Sequence, residues 1–386
     1  VRGARFKIVI VLDYLELGGA ERQAIYLAEY FHQSEKYEVS VVGFRNKGKA
    51  YEILIEKGIK CDLIPLNISN RKKEIVKNCL KLLQYFWQHK PFAIIPYTYW
   101  SNLLCGITWR FTKAKVCIWN QRDEGRNVRK SLFEKLSLKN VSHVVSNSLE
   151  GKQFLVDNFN IKANRISIIH NGVALSDPVY SVEEWHSNTC INDDTFVVSM
   201  VANLHSYKDH ITLLRAWKIF TQSQGVEDAK LILAGRLDEM HFQLKSLAFD
   251  LGLHDSVMFY GSVEDISGFL SVTDLIAFSS KYEGCPNGIL EGMKAAKAVV
   301  ATDITGTREA LGKDYLHLAM PDNEQDLARK ILYFYKHPEK LSEVGEQNKS
   351  YVDENFSIEG MLKKYEDLIN IANKRLINRD KITTCL

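Results

Sequence analysis

A chain of 386 residues is too long for one ordinary hydrophobic core and suits two or three domains. Apolar residues make up 46% and charged residues 25%, a globular balance, and a formal net charge of only +3 excludes the overall basic character of a nucleic-acid binder. The seven cysteines are odd in number, scattered and never spaced C-x-x-C, which argues against a zinc site or a disulfide framework and for a reducing cytoplasm.

The opening VRGARFKIVIVLDYL sets basic residues before a short apolar run. The run meets Asp13 and Glu16 with no A-x-A site, so it reads as a first strand and not as a signal peptide. No stretch approaches the roughly 20 apolar residues of a spanning helix. Strand-like and helix-like segments then alternate. Strands are expected at 6–12, 39–44, 61–66, 92–97, 116–120, 141–146 and 166–169, with helices at 18–31, 50–56 and 71–89 between them. Residues 174–194 are polar, contain Pro178 and lack a clean period, and are taken as a connection. Alternation restarts with strands at 196–202, 230–234, 257–260 and 275–279 and helices at 209–221, 242–251 and 264–271. A last helix is expected over 358–376. The fold class is therefore α/β, with two Rossmann-like, doubly wound parallel sheets facing a cleft. The expected domains are 1–173 and 195–356, joined by 174–194.

The most informative stretch is 281–309, KYEGCPNGILEGMKAAKAVVATDITGTRE. It follows an apolar, strand-like run and holds Glu283 and Glu291, with Gly284, Cys285, Pro286, Asn287 and Gly288 between them. Glu283 is placed on a loop, and a helical pattern starting at Ile289 places Glu291 in the first turn of a helix. A second strand at 298–301 leads to Gly306 and Thr307 at another helix start. Adjacent strand-to-helix loops mark the carboxyl edge of a parallel sheet, where such sheets bind ligands. Backbone N–H groups of Gly284, Cys285, Asn287, Gly306 and Thr307 at helix starts suit an anion or a hydroxyl-rich sugar. Glu291 is assigned to the two hydroxyls of a ribose. Stabilisation of the helix dipole alone is the ordinary alternative for both acids.

The pattern E-G-x-P-N-G-x-x-x-E, preceded by Ser-Ser and followed by G-T-x-E, resembles the signature of the retaining GT-B glycosyltransferases of family 4. The resemblance extends from Gly18 to Glu309. LGGAER at 17–22, with Gly18 and Gly19, matches the first-domain turn that faces donor phosphates and acceptor in that family. It is not G-x-G-x-x-G, so a dinucleotide site is disfavoured. VANLHSYKDH at 201–210 matches the motif in which a lysine, here Lys208, meets the diphosphate. The family's arginine is missing there. Asn203 or His205 stands near its place, and Arg236 at the end of LILAGR is a substitute cation. Asn171-Gly172-Val173 matches the family's hinge and Ser146-Asn147-Ser148 its cleft lining. The family's histidine near the reacting sugar is absent: 97–100 reads YTYW and 120–123 reads NQRD. Arg122 and Asp123 are the acceptor-side candidates, with a purely structural Asp–Arg pair as the alternative.

The resemblance implies a retaining glycosyltransferase that moves a hexosyl group from a UDP- or GDP-sugar to a glycan or lipid-linked acceptor, as in surface polysaccharide synthesis. Glu283 and Lys208 are its implied catalytic residues. It implies no metal ion and no nucleic-acid partner, and a final segment, 357–386, that crosses back to the first domain. An epimerase or phosphorylase on the same fold, or a non-catalytic sugar-nucleotide-binding subunit, is the alternative. The helix expected at 71–89 mixes lysines with Leu80, Leu83, Phe86 and Trp87. It either packs on its own sheet or lies on an anionic membrane surface, which would put the protein at the inner face of the membrane.

Overall fold

The Ile/Val-rich runs form parallel strands because helices cover both faces of each sheet, which favours near-continuous apolar strands. The computed structural model describes residues 5–383, with side chains described through residue 371. The chain divides into two compact units: residues through Gly172 together with those from Ile358 onward, and Val173–Ser357.

The first unit runs β1 (Phe6–Leu15), α1 (Gly19–Gln33), β2 (Tyr37–Lys47), α2 (Lys49–Glu56), β3 (Lys60–Leu63), α3 (Lys72–His89), β4 (Ala93–Pro96), α4 (Tyr99–Thr108), β5 (Val116–Gln121), α5 (Leu132–Asn140), β6 (His143–Ser146), α6 (Leu149–Phe159) and β7 (Ile166–Ile168). Its strands lie in the order β3-β2-β1-β4-β5-β6-β7, and every pairing is parallel. The second unit runs α7 (Val182–Thr189), β8 (Phe196–Val201), α8 (His210–Thr221), β9 (Ala229–Ala234), α9 (His241–Asp250), β10 (Val257–Gly261), α10 (Ile266–Ser271), β11 (Leu275–Phe278), α11 (Asn287–Lys294), β12 (Ala298–Thr302), α12 (Thr305–Leu311), β13 (Leu318–Ala319), α13 (Glu324–Lys336) and α14 (Pro338–Asn355). Its order is β10-β9-β8-β11-β12-β13, again parallel throughout. The strand order therefore reverses between β1 and β4 in one unit and between β8 and β11 in the other, and these are the switch points at which open sheets hold ligands.

The final helix, α15 (Ile358–Thr383), packs on the first unit. Met361, Tyr365 and Ile369 join the core of β1, β2 and α1. The Tyr365 hydroxyl donates to Asn120 Oδ1 at 2.6 Å, and Glu366 accepts from the hydroxyls of Tyr30 at 2.8 Å and Tyr37 at 2.9 Å. Gln23 fixes the point where the chain leaves the first sheet: its amide donates to the Gly172 carbonyl at 2.9 Å and accepts from the Gly172 N–H at 3.0 Å. A Cβ on Gly172 would lie 2.7 Å from Ile358 Cα, so that approach requires glycine.

Two features differ from the sequence reading. Residues 174–194 contain a helix, α7, where only a polar connection was expected. A Ser181–Glu184 capping box starts it, and Trp185 is buried against Phe269 and donates to Asp265 Oδ2 at 3.1 Å. So short a helix shows little periodicity, and tertiary contact decides it. Helix α11 begins at Asn287, two residues before the expected start, so Glu291 lies beyond the first turn. Pro286 is its N-cap residue, and Asn287 and Gly288 are already helical despite their low propensity.

Candidate active site

Three loops at the carboxyl edge of the second sheet are tied together around the β8–β11 switch point. The loop after β8 makes a 3-10 turn, Ser206–Lys208, and passes through Asp209 with φ of +52° into α8. The loop after β11 begins Ser279-Ser280-Lys281. Ser279 Oγ donates to the carbonyls of Lys208 at 3.2 Å and Asp209 at 2.9 Å, and the Lys281 N–H donates to the Tyr207 carbonyl at 2.8 Å. Thr302 Oγ1, at the end of β12, donates to the Ser280 carbonyl at 2.6 Å. These bonds fix the places of Lys208 and Glu283, which lie 75 residues apart in sequence.

Lys208 Nζ donates to Glu283 Oε1 at 2.5 Å, and Ser280 Oγ donates to the same oxygen at 2.7 Å. The side chains are 14% and 6% exposed. The ammonium also stands over the rings of Phe278 at 5.1 Å and Tyr207 at 5.3 Å. Among the described residues no group hydrogen-bonds the second Glu283 oxygen. Glu283 does not cap α11: Pro286 occupies that position without a side-chain cap.

Glycines let the helices approach. A Cβ on Gly288 would lie 2.2 Å from the Val201 carbonyl oxygen, so the first turn of α11 abuts the end of β8. A Cβ on Gly306 would lie 2.2 Å from the Glu283 carbonyl oxygen, so the start of α12 abuts the loop that carries Glu283. Gly284 lies in that loop and is buried, Cys285 is half-buried beside it, and Thr307 packs its hydroxyl onto the Thr302 carbonyl. Glu291 is buried on α11.

Asn203, His205 and Arg236 form a second group at the same sheet edge. Asn203 Oδ1 accepts from the Arg236 N–H at 3.0 Å. The His205 ring lies between two carboxylates, Nε2 at 3.0 Å from Asp238 and Nδ1 at 2.8 Å from Glu239, and stacks on Tyr207. The half-exposed Arg236 guanidinium reaches the same Asp238 at 3.4 Å. The acids that hold His205 and Arg236 were not singled out in the sequence; their spacing after LILAGR was the available signal. Beneath this edge, His210 is buried, and neither ring nitrogen is hydrogen-bonded among the described residues. Burial, aided by the Lys208 charge, pushes its pKa down to about 3.

Gly18, Gly19, Arg122 and Asp123 belong to the first unit. Gly18 caps α1 and Gly19 opens it, at the β1 side of that sheet's switch point. Arg122 follows β5, its guanidinium 5.0 Å from the Tyr97 ring and bonded through Nη2 to Asn171 Oδ1. Among the described residues its buried Nε and Nη1 meet no hydrogen-bond geometry, and neither does Asn147 Oδ1, whose amide donates to the Arg122 carbonyl at 3.0 Å. Asp123 does not pair with it. That carboxylate accepts from Gln121, the Gly125 N–H and Asn127, and so builds its own loop.

Family models match both units: Glycosyltransferase Family 4 over residues 17–177 and Glycosyl transferases group 1 over residues 181–351. The chain belongs to glycosyltransferase family 4. Its fold is GT-B: the chain superimposes on an Anabaena protein, HepE, crystallised with UDP and glucose, with a TM-score of 0.82 at 18% identity over 95% of this chain and 100% of that one. An uncharacterized glycosyltransferase of Methanocaldococcus jannaschii is 25% identical over 260 residues, 62% of each chain. The N-acetylgalactosamine-N,N'-diacetylbacillosaminyl-diphospho-undecaprenol 4-alpha-N-acetylgalactosaminyltransferase of Campylobacter jejuni is 27% identical over 186 residues, 48% of each. The match thus spans only 62% and 48% of the lengths of these two curated relatives. Among the described residues no helix is long and apolar enough to cross a membrane.

Proposed function

We propose that this glycosyltransferase moves a hexosyl group, with retention at the anomeric carbon, from a nucleotide-diphosphate sugar to a glycan or lipid-linked acceptor in surface polysaccharide or glycoconjugate synthesis. The observation that carries the reading is the Lys208–Glu283 pair at the switch point of the second sheet. A diphosphate beside Lys208 competes with Glu283 for the ammonium, and as the leaving group gains charge the ammonium stabilises it. Glu283, whose second oxygen accepts no hydrogen bond among the described residues, holds a sugar hydroxyl or faces the oxocarbenium-like centre. Glu291 accepts from the ribose hydroxyls.

Backbone N–H groups around Gly284, Cys285, Asn287 and Gly288, and around Gly306 and Thr307, meet the phosphates at the starts of α11 and α12. Asn203, His205 and Arg236 line the nucleotide side. With Lys208 and two helix N-termini to meet the diphosphate charge, the scheme needs no metal ion. Arg122 is the acceptor-side cation, and its buried Nε and Nη1, which meet no hydrogen-bond geometry among the described residues, favour an anionic group there. The Campylobacter relative, named for a diphospho-undecaprenol acceptor, and the Anabaena complex with UDP support a lipid diphosphate as acceptor and a UDP-sugar as donor.

A panel of UDP- and GDP-sugars, scored by calorimetric binding and by slow hydrolysis, tests the reading. One nucleotide class is expected to bind and to release free sugar. A folded protein that neither binds nor hydrolyses any of them overturns it.

A further inference from the structure

Helices α3 and α9 each turn an apolar stripe outward, and the charges beside the two stripes differ. On α3, Ile75, Cys79, Leu82 and Phe86 are buried in the core of the first unit. Phe86, grouped with the outer residues on sequence grounds, therefore belongs to the inner stripe. Val76, Leu80 and Trp87 are exposed on another side, beside the exposed Lys72, Lys73 and Lys77. Charge of one sign there opposes the approach of the same helix from a second copy.

Helix α9 of the second unit carries both signs. Leu244 and Ala248 are buried in the core, and Leu247 packs against it. Phe242 and Phe249 face away from that core, 84% and 72% exposed. Seven residues separate them, so they lie two turns apart on one side of the helix. Lys245 and Ser246 stand between them and Asp250 at the end, all exposed. Beside α9 runs β10, the outer strand of its sheet. Its sequence, VMFYG, has no charge or proline to blunt edge pairing, and Met258, Phe259 and Tyr260 are half-exposed. The His241 ring at the start of α9 lies 6.0 Å from the Phe259 ring, so helix and edge strand share one surface.

We infer that this surface docks on a second copy of the chain about a two-fold axis, with α9 antiparallel to α9 of the second copy. A two-fold contact sets one patch against itself, so the patch must be complementary to its own reverse. The stripe on α9 has that property. Reversed, it sets Phe242 level with Phe249 of the second copy, and Lys245 comes within one turn of Asp250 of the second copy, twice over. The helix dipoles are then opposed, which is also favourable. In the parallel arrangement lysine would meet lysine and aspartate would meet aspartate. Four phenylalanines leave water in the antiparallel contact, and the two β10 edges approach antiparallel across the same axis. The inference goes beyond the transfer reading, and its test needs no turnover.

The test is sedimentation velocity of the full chain over a concentration series. A monomer–dimer equilibrium is expected. Phe242→Asp with Phe249→Asp should weaken the dimer tenfold or more while near-UV circular dichroism stays unchanged. Lys245→Glu alone and Asp250→Lys alone should each weaken it, because each sets like charges together. An equal mixture of those two single variants should dimerise better than either alone, since each chain then supplies the charge that the other needs. A wild-type chain that stays monomeric at every concentration, a dimer that survives the paired phenylalanine change, or a mixture no better than its components overturns the proposal.

Discussion

Lys208 Nζ and Glu283 Oε1 lie 2.5 Å apart, an enclosed ion pair that joins the loop after β8 to the loop after β11. Removing one partner leaves the other charge enclosed and unpaired, which typically costs 3–5 kcal/mol, about the scale to expect here. Lys208→Met alone should therefore lower both turnover and melting temperature. Lys208→Met with Glu283→Gln should recover most of the melting temperature and none of the turnover. Full activity in the double variant would remove both residues from the chemistry.

Glu283→Gln keeps the size and much of the hydrogen bonding of the side chain, so donor affinity should stay near wild type while kcat falls by roughly 10²-fold. Donor titration and initial rates on this one protein separate a transition-state role from a structural one. A normal kcat with only a lower melting temperature would leave Glu283 a structural residue.

Glu291→Ala should weaken nucleotide-sugar binding by roughly 1.5–3 kcal/mol, the scale of a lost charged hydrogen bond, and leave the fold intact. Calorimetry with the donor and circular dichroism of the free protein check both halves. Unchanged affinity in a folded variant would reassign the ribose contact.

Gly306→Ala puts a Cβ within 2.2 Å of the Glu283 carbonyl oxygen, and backbone has to move to admit it. The displaced loop carries Glu283, so the variant should lose about 1–3 kcal/mol of stability and show reduced kcat. Urea midpoints and initial rates measured together test the coupling; a loss in neither would mean that the loop yields freely.

His210 makes stability depend on pH in a defined direction. Burial holds its folded pKa at about 3, well below the ordinary 6.5. The imidazole is then neutral in the folded chain and takes up a proton on unfolding at acid pH, so stability declines as pH falls below about 6.5 and goes on declining toward 3. The limit from one such group is about 1.4 kcal/mol per pH unit. Urea unfolding at pH 7 and pH 5 should show a smaller acid loss for His210→Phe than for wild type, and an identical loss would place the acid sensitivity elsewhere.

Much of this protein was legible in the chain itself. Apolar runs alternating with helical periods specify two parallel α/β sheets, because burial on both faces demands continuous Ile, Val and Leu. The spacing of Glu283 and Glu291, with glycines and a proline between, set the acid stretch at a strand-to-helix junction. Local pattern did not reach the start of α11, where Asn287 and Gly288 are helical against their propensities, nor α7, which forms because Trp185 has a buried place to occupy. It also could not show that Lys208 pairs with Glu283, that Asp123 serves its own loop and not Arg122, or that α3 presents a second apolar stripe outward. Those relations depend on which strands lie side by side. Strand order is set by long-range packing, and a residue's neighbours along the chain carry no record of the residue that tertiary structure brings within hydrogen-bond distance.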